Sequence, residues 1–280
     1  MSLSLHTLPR EKRLHIRRGE PIEECGLTLY PIRMDHYEDF LQCKDALSLR
    51  LSSLPARIAA MDYMSAVFAL ELEAIQGKTS AKETGGLFFR LMRLFGLSLR
   101  KDMSAEAINE SIYYRSGGAD SIQIDHLDLS QDGRPPVRIT PFEFSSIIRP
   151  LIAVQNAIDL PDEAENAELV EANEMKKKLA GGTPLKMDMD DLVSSVAYLS
   201  RVSDAEIMDW SVRDFENRQR AIDRDKRYML YRQAEMSGMV TFKNGNPYPS
   251  WRYDTADDSL GTTAYDDLAK TLSQAAAPGA

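Results

Sequence analysis

Apolar residues recur at three- and four-residue spacing along most of the chain, and this periodicity predicts a largely helical protein. The spacing predicts helices over 36–51, 58–72 and 87–99, and Asp35 is placed to cap the first of them. A polar segment that contains glycine separates the second helix from the third. Ser104 is expected to open a further short helix.

Two segments have the Ser/Thr-x-x-Glu spacing of a capping box, in which a side chain and a backbone amide bond each other reciprocally. Thr140–Glu143 predicts a helix that Pro150 should kink, and Ser203–Glu206 predicts another. Amphipathic spacing also predicts helices over 188–199 and from 207 to about 236.

Alternation of apolar and polar residues is confined to two regions. Runs at 14–17 and 27–32, separated by glycines, predict a small N-terminal β-hairpin. Alternation over 122–129, an Asp-Gly turn at 132–133 and a run at 137–139 predict two or three strands inserted between helices. The fold class expected is mainly α (α+β), with helical domains, an N-terminal β-hairpin and a short central β insertion.

Shifts in composition along the chain predict its domain organisation. An N-terminal helical domain with the hairpin and inserted sheet is expected over 1–158. A stretch that runs from acidic to basic, low in large apolar residues, predicts a helical linker over 159–187. A C-terminal helical domain follows over 188–243. Residues 244–280, rich in Asn, Gly, Pro and Asp, are expected to form a mostly irregular tail.

Composition narrows the class of protein. The chain has 280 residues, 43% of them apolar, which suffices for a core without metals or disulfides. The only cysteines, Cys25 and Cys43, fit no zinc or redox spacing. No window approaches the roughly 20 apolar residues of a membrane span. Arginines interrupt the first 18 residues too often for a signal peptide, so we expect a cytoplasmic protein.

The net charge of −9 disfavours nucleic acid and anionic membranes as partners, unless a basic patch overrides it. One such region runs from 213 to 232, where seven cationic residues oppose four carboxylates. A helix-turn-helix over 192–222 whose arginines contact phosphates is one reading of this segment. The alternative is a solvated helix face with internal ion pairs, for which spacings such as Asp223–Arg227 are typical.

Residue patterns typical of catalysis are missing from the sequence. The four histidines form no H-E-x-x-H motif, and the Gly-Gly pairs have neither phosphate-loop nor dinucleotide-binding spacing. Asp125-His126-x-Asp128 is interpreted as the solvated edge of a strand, because zinc needs three or four convergent ligands. We therefore predict no catalytic, metal-binding or cofactor-binding residues and no cofactor, and expect a protein that is not an enzyme.

Three C-terminal segments, 190–197, 207–215 and 231–243, resemble tail assembly chaperones of bacteriophages and prophages. The Met-Ser-Gly-Met-Val-x-Phe sequence at 236–242 is the most specific part. Segments 30–32 and 37–55 resemble the N-terminal region of the same group more weakly. The chain is longer than the usual small chaperone, and the acidic stretch 159–179 matches no motif of the group.

The resemblance implies a protein of tail morphogenesis that binds the tape-measure protein, keeps it soluble and recruits tail-tube subunits; self-association is also allowed. Partner binding is expected at six residues of these segments: Trp210, Phe215, Tyr231, Met236, Met239 and Phe242. Two alternatives stay open. In the first, the protein is a permanent structural or connector component of the tail and is found in the virion. In the second, it is a helix-turn-helix DNA-binding regulator built on 192–222.

Overall fold

The computed structural model describes residues 8–77, 85–101, 103–116, 122–131, 133–163, 188–238 and 250–251. The fold is mainly helical with two small antiparallel sheets, which confirms the predicted class. None of the described helices combines the length and the apolar character needed to cross a membrane.

The strands are β1 (Ile22–Glu24), β2 (Leu27–Leu29), β3 (Ile112–Ser116), β4 (Ile122–Leu129) and β5 (Val137–Ile139). The α-helices are α1 (Arg10–Arg17), α2 (Tyr37–Cys43), α3 (Ala56–Ala59), α4 (Tyr63–Ile75), α5 (Leu87–Leu99), α6 (Ala105–Ser111), α7 (Pro141–Glu143), α8 (Arg149–Gln155), α9 (Met189–Ser200), α10 (Asp204–Met208) and α11 (Val212–Met236). Short 3-10 helices lie at Met34–His36, Lys44–Leu47 and Leu51–Ser53, and a π-helix at Phe144–Ile148 joins α7 to α8.

The N-terminal hairpin exists, but its first strand differs from the one predicted. Strand β1 pairs with β2, and the two-residue turn between them has φ of 50° at Cys25 and 77° at Gly26. Positive φ at both central residues is typical of the type I′ turn, whose twist matches that of the strands. Segment 14–17, predicted as a strand, belongs instead to α1. Helix α1 buries Ile16. The strand prediction failed here because so short an apolar run fits one helical turn as well as a strand.

The central sheet is confirmed as three antiparallel strands in the order β3-β4-β5. Ile112 pairs with Leu127, and Leu127 pairs in turn with Ile139 on the third strand. The register between β3 and β4 shifts at Tyr113/Tyr114, where an irregularity interrupts the ladder. Ile124, Leu127, Leu129 and Ile139 are buried, so the sheet contributes one of its faces to the core.

Helix α5 follows the predicted bounds, whereas two other predicted helices are divided. The helix predicted over 36–51 ends at Cys43 and continues as 3-10 turns. Tyr63 explains this division, because its hydroxyl donates to the Ala46 carbonyl and accepts from the Leu49 amide. The same residue begins α4, so the helix predicted over 58–72 is split into α3 and α4.

Helix starts agree with the capping predictions at Thr140 and Ser203. The predicted cap at Asp35 is wrong, because this residue lies inside the 3-10 helix Met34–His36 and α2 starts after His36 with no side-chain cap. The capping box of Thr140 and Glu143 is complete, since each side chain bonds the other residue's backbone amide. The Ser203 hydroxyl accepts from the Glu206 amide and opens α10. Pro150 lies in the first turn of α8, directly after the π-helix. The proline, which lacks an amide donor, thus stands where the regular helix resumes.

The chain divides into two compact units, Met1–Glu171 with Lys186–Asn217, and Ala172–Leu185 with Arg218–Ala280. The first contains all described residues from 8 to 163 and from 188 to 217. The second contains the described residues 218–238 and 250–251. Segment 188–217, which the sequence placed in a C-terminal domain, thus packs in the first unit. Residues 164–187 of the predicted linker, and all of the predicted tail except Ser250 and Trp251, lie outside the described residues.

Candidate functional site

Helix α5 has two faces with different roles. Its apolar residues are buried on one side, with Leu91, Met92 and Leu94 fully enclosed. The other side presents a stripe at helical spacing that lines a cleft: Phe89, Arg93, Gly96, Leu97 and Arg100. The cleft encloses about 740 Å³, a volume within the range of about 300–1,000 Å³ that ligand sites occupy. This cleft, called here the α5 cleft, is the candidate site.

A loop crosses α5 closely and forms one end of the cleft. Arg100 ends the helix in a left-handed conformation with φ of 53°, which turns the chain back across the helix. Gly96 makes this crossing possible. A Cβ at Gly96 would lie 2.2 Å from Cγ of Met103 and 2.8 Å from the carbonyl oxygen of Lys101. The glycine therefore allows Lys101 and Met103 to lie against the helix and places Lys101 at the cleft.

The opposite wall comes from the segment after β2, which contributes Pro31, Ile32 and Arg33, and from the start of α2. Backbone bonds fix this segment. The Tyr30 amide donates to the Ser98 carbonyl at 2.7 Å, and the Met34 amide donates to the Trp210 carbonyl at 3.0 Å. The Ile32 carbonyl accepts from the Val212 amide at 2.8 Å. The segment is thus held between α5 and the start of α11.

Buried amide side chains complete the hold on the same wall. Asn156 accepts from the Ile32 amide, and Gln155 donates to the Leu29 carbonyl at 3.1 Å. Gln131 bonds both backbone groups of Thr28, each at 2.8 Å. Because these three amide side chains are all buried, their hydrogen bonds replace those that water would otherwise supply.

Charge in the α5 cleft opposes that of the whole chain. Among the described residues, four cationic side chains and two carboxylates line it: Arg33, Arg93, Arg100, Lys101, Asp35 and Asp39. The lining is therefore net positive in a chain whose net charge is −9. Apolar side chains, including Phe89 at 44% exposure, lie among these charges. Such a mixture suits a ligand with both apolar and anionic groups.

Of the six predicted partner-binding residues, Trp210 and Phe215 belong to the first unit. Trp210 is half-buried, and its carbonyl bonds the cleft wall at Met34. Phe215 is fully buried against the ring of Tyr37, with centroids 5.6 Å apart. Phe215 is therefore a core residue and offers no exposed side chain to a partner, so we correct this prediction. The Ser211 hydroxyl accepts from the Asp214 amide at the start of α11. An aromatic residue in this first turn, such as Phe215, fits a core position as well as a binding one.

The remaining predicted residues belong to the second unit. Tyr231 is half-buried, and Met236 is 78% exposed. Met229 and Leu230, which the sequence did not single out, are 59% and 64% exposed on the same helix. Met239 and Phe242 lie outside the described residues. Exposed apolar residues of this helix thus extend beyond those predicted.

Two polar clusters elsewhere in the first unit have packing roles. The Tyr37 hydroxyl donates to Glu216 at 2.9 Å, and burial, followed by the negative charge of Glu216, raises the Tyr37 pKa. His126 is 7% exposed and stacks on Tyr113 with centroids 4.5 Å apart. The interpretation of His126 as part of a solvated edge is therefore wrong, because Tyr113 covers it. The Asp125 carboxylate lies 2.8 Å from Nδ1 of His126, but no three metal-ligating residues converge in the described part of the chain.

Sequence reasoning missed the α5 cleft. Its lining comes from segments around 31–39, 89–101 and 103–104, and no short motif joins them. The stripe on α5 was the one available signal, since Arg93 and Arg100 are seven positions apart and therefore lie on the same side of this mostly apolar segment. Comparison with known proteins assigns no function to this site, because no family model, curated protein or solved structure matches the chain.

Proposed function

We propose that the protein is a tail assembly chaperone of a phage or prophage, which binds the tape-measure protein in the host cytoplasm and keeps it soluble. The observation that carries the proposal is the exposed apolar face of α11 formed by Met229 and Met236, with Leu230 exposed beside it on the same helix. This face overlaps the segment 231–243, in which the resemblance to such chaperones is most specific.

Three large apolar side chains on one exposed helix favour contact with another apolar surface. Met229 and Met236 are seven residues apart, so they lie on the same side of the helix, and Ile222 precedes them by a further seven. Methionine side chains are flexible and polarizable, which lets them pack against partners of varied shape. A long apolar helix of the partner would bind such a face by helix pairing.

The basic residues around this face support a protein partner as well. Lys226 and Arg232 are exposed on α11, three positions before and after Met229, so the apolar stripe is flanked by solvated charges. Charges at the rim of an interface steer association and add little affinity. The stripe therefore supplies the free energy of binding, and the rim sets the orientation of the bound helix.

The test is co-expression with a phage tape-measure protein, followed by measurement of the soluble fraction of that protein. The wild-type chain should raise the fraction. A variant with Met229→Gln, Leu230→Gln and Met236→Gln should not, although it keeps its helical circular dichroism. Ile75→Gln changes a side chain of the first unit that is 74% exposed and serves as the matched control. Equal solubility with the triple variant and with wild type would contradict the proposal.

Purified phage particles distinguish the chaperone from a permanent tail component. A chaperone leaves before the tail is complete, so mass spectrometry of particles should detect no stoichiometric amount of this chain. A fixed copy number in the particle would instead identify a structural or connector protein of the virion. Neither outcome depends on the solubility assay, so the two experiments test separate parts of the proposal.

A further inference from the structure

The α5 cleft lies in the first unit and offers a chemistry different from that of the apolar face on α11. We propose that this cleft binds an acidic, amphipathic segment of the polypeptide partner, an inference that rests on the proposed function and adds a second contact to it. The occupant would present carboxylates to the cationic lining and apolar side chains to the residues between. Charge complementarity and the arrangement of the cations argue for this class of ligand.

The charge of the cleft is complementary to an acidic segment, although the charge of the whole chain is not. The cleft is net positive among its described residues, whereas the chain as a whole carries −9. The cleft therefore attracts an acidic segment, although the net charge of the chain as a whole repels it. Apolar neighbours such as Ile32 and Leu97 lower the local polarity, which strengthens the attraction between opposite charges.

The arginines of the cleft have separate partners. Arg33 pairs with Asp209 at 3.5 Å, and Arg93 pairs with Asp39 at 2.7 Å. The guanidinium of Arg100 lies over the ring of Tyr30, 4.2 Å from its centroid. Each of these arginines has its own anchor on a different element. A phosphate group needs several donors that converge on one point, whereas separately anchored cations suit carboxylates spaced along a polypeptide.

Apolar contact points alternate with the cations along α5. Phe89, Arg93 and Leu97 follow one another at four-residue spacing on one face. Phe89 is 44% exposed although the neighbouring Phe88 is buried, so its ring remains available to a ligand. An amphipathic segment with leucines and glutamates at three- and four-residue spacing presents the matching order of groups.

Fluorescence anisotropy with the full-length chain tests the proposal. The probe is a labelled peptide of Glu, Leu and Ala with Leu at three- and four-residue spacing, called the Glu peptide. The control, called the Lys peptide, has the same sequence with Lys in place of every Glu. We expect the Glu peptide to bind and to bind more weakly as salt is raised, and the Lys peptide to bind at least about tenfold more weakly.

Variants locate the binding. Lys101→Glu should weaken binding of the Glu peptide by about tenfold or more, since it places a like charge in the cleft. Phe89→Ala should weaken it too, and by the same amount at low and high salt. Arg10→Glu makes the same charge change on exposed α1, away from the cleft, and should leave binding unchanged. Lys101→Gln serves if the charge reversal perturbs folding, which thermal unfolding would reveal.

Three results would overturn the assignment. The first is equal binding of the Glu peptide by wild type and Lys101→Glu. The second is displacement of the peptide by inorganic pyrophosphate at equal concentration, which would indicate a site for a compact anion. The third is a dimer by sedimentation that Lys101→Glu dissociates, which would make a second copy the occupant.

The co-expression assay separates this inference from the proposed function. If wild type and Lys101→Glu keep the tape-measure protein equally soluble, and the peptide does not bind, the cleft assignment fails alone. If wild type has no effect on that solubility while the peptide binds in the cleft, the proposed function fails and the cleft remains a site for acidic segments.

Discussion

The Asn156 side chain accepts a hydrogen bond from the backbone amide of Ile32 at 2.8 Å, across 124 residues of sequence. Its own amide group donates to the Ile152 carbonyl at 2.9 Å, which holds the side chain against the end of α8. Asn156 is 1% exposed, so water does not compete for these bonds. One buried amide therefore fixes the wall of the α5 cleft to a helix that contributes nothing to its lining.

Replacing Asn156 by Ala should lower the free energy of unfolding by about 1–3 kcal/mol, because the Ile32 amide is left buried without an acceptor. Urea unfolding followed by circular dichroism measures this change. Asn109→Ala, on the exposed side of α6, is the matched control and should stay within about 0.5 kcal/mol of wild type. An equal effect of the two substitutions would show that the bond to Ile32 contributes nothing.

Gly96→Ala should destabilise the protein although alanine favours a helix by about 1 kcal/mol over glycine. The new methyl group would meet Met103 and the Lys101 carbonyl at distances that no packed atoms adopt. Overpacking of this kind typically costs about 1–3 kcal/mol, so we expect the melting temperature to fall. Adding Met103→Ala to Gly96→Ala removes the closest of the three clashes, that with Cγ of Met103. The double variant should therefore lose less than the sum of the single losses.

Thr140→Ala should lower the free energy of unfolding by about 1 kcal/mol, because it removes the side chain that caps α7. The bonds from Thr140 hold the Glu143 pKa below its ordinary value. A carboxyl group with a lowered pKa in the folded state stabilises the fold above its unfolded pKa, and this contribution is lost as pH falls through the folded value. The difference in the free energy of unfolding between Thr140→Ala and wild type should thus be larger at about pH 7 than at about pH 3. A constant difference across this range would contradict the role of the ionised carboxylate.

Burial raises the pKa of Tyr63 to about 12, and Arg149 beside it opposes this shift. A raised pKa stabilises the folded state below the unfolded value, and the stabilisation is lost as pH rises from about 10, the ordinary value for tyrosine. We therefore expect the free energy of unfolding to fall between about pH 10 and pH 12. Tyr63→Phe, which cannot ionise, should show a shallower decline, whereas Tyr198→Phe, at an 82% exposed position, should follow wild type.

Local patterns in the sequence were sufficient for most of the elements. Helix α5 runs over the predicted residues because apolar positions at helical spacing need only a core on one side. The capping box at Thr140 was equally predictable, since its bonds join residues three apart. The N-terminal hairpin was predicted with the wrong first strand, because a four-residue run at 14–17 satisfies both periods.

Long-range contacts decided what local patterns left open. Tyr63 divides the helix predicted over 36–51, and its hydroxyl reaches residues 46 and 49 from another helix. Phe215 enters the core because Tyr37 meets it from α2, far away in sequence. Neither contact leaves a trace in the spacing of neighbouring residues.

The sequence by itself determined the helical character, the inserted sheet and the starts of the helices capped by Thr140 and Ser203, because hydrogen bonds and apolar periodicity over a few residues set these features. Only the tertiary structure decided which faces stay exposed and where charges gather. The α5 cleft depends on Gly96 admitting a loop across the helix and on Asn156 holding Ile32 from a distance. Such closeness arises from packing of the whole unit, and pairs of residues separated by a hundred positions carry no local pattern that predicts it.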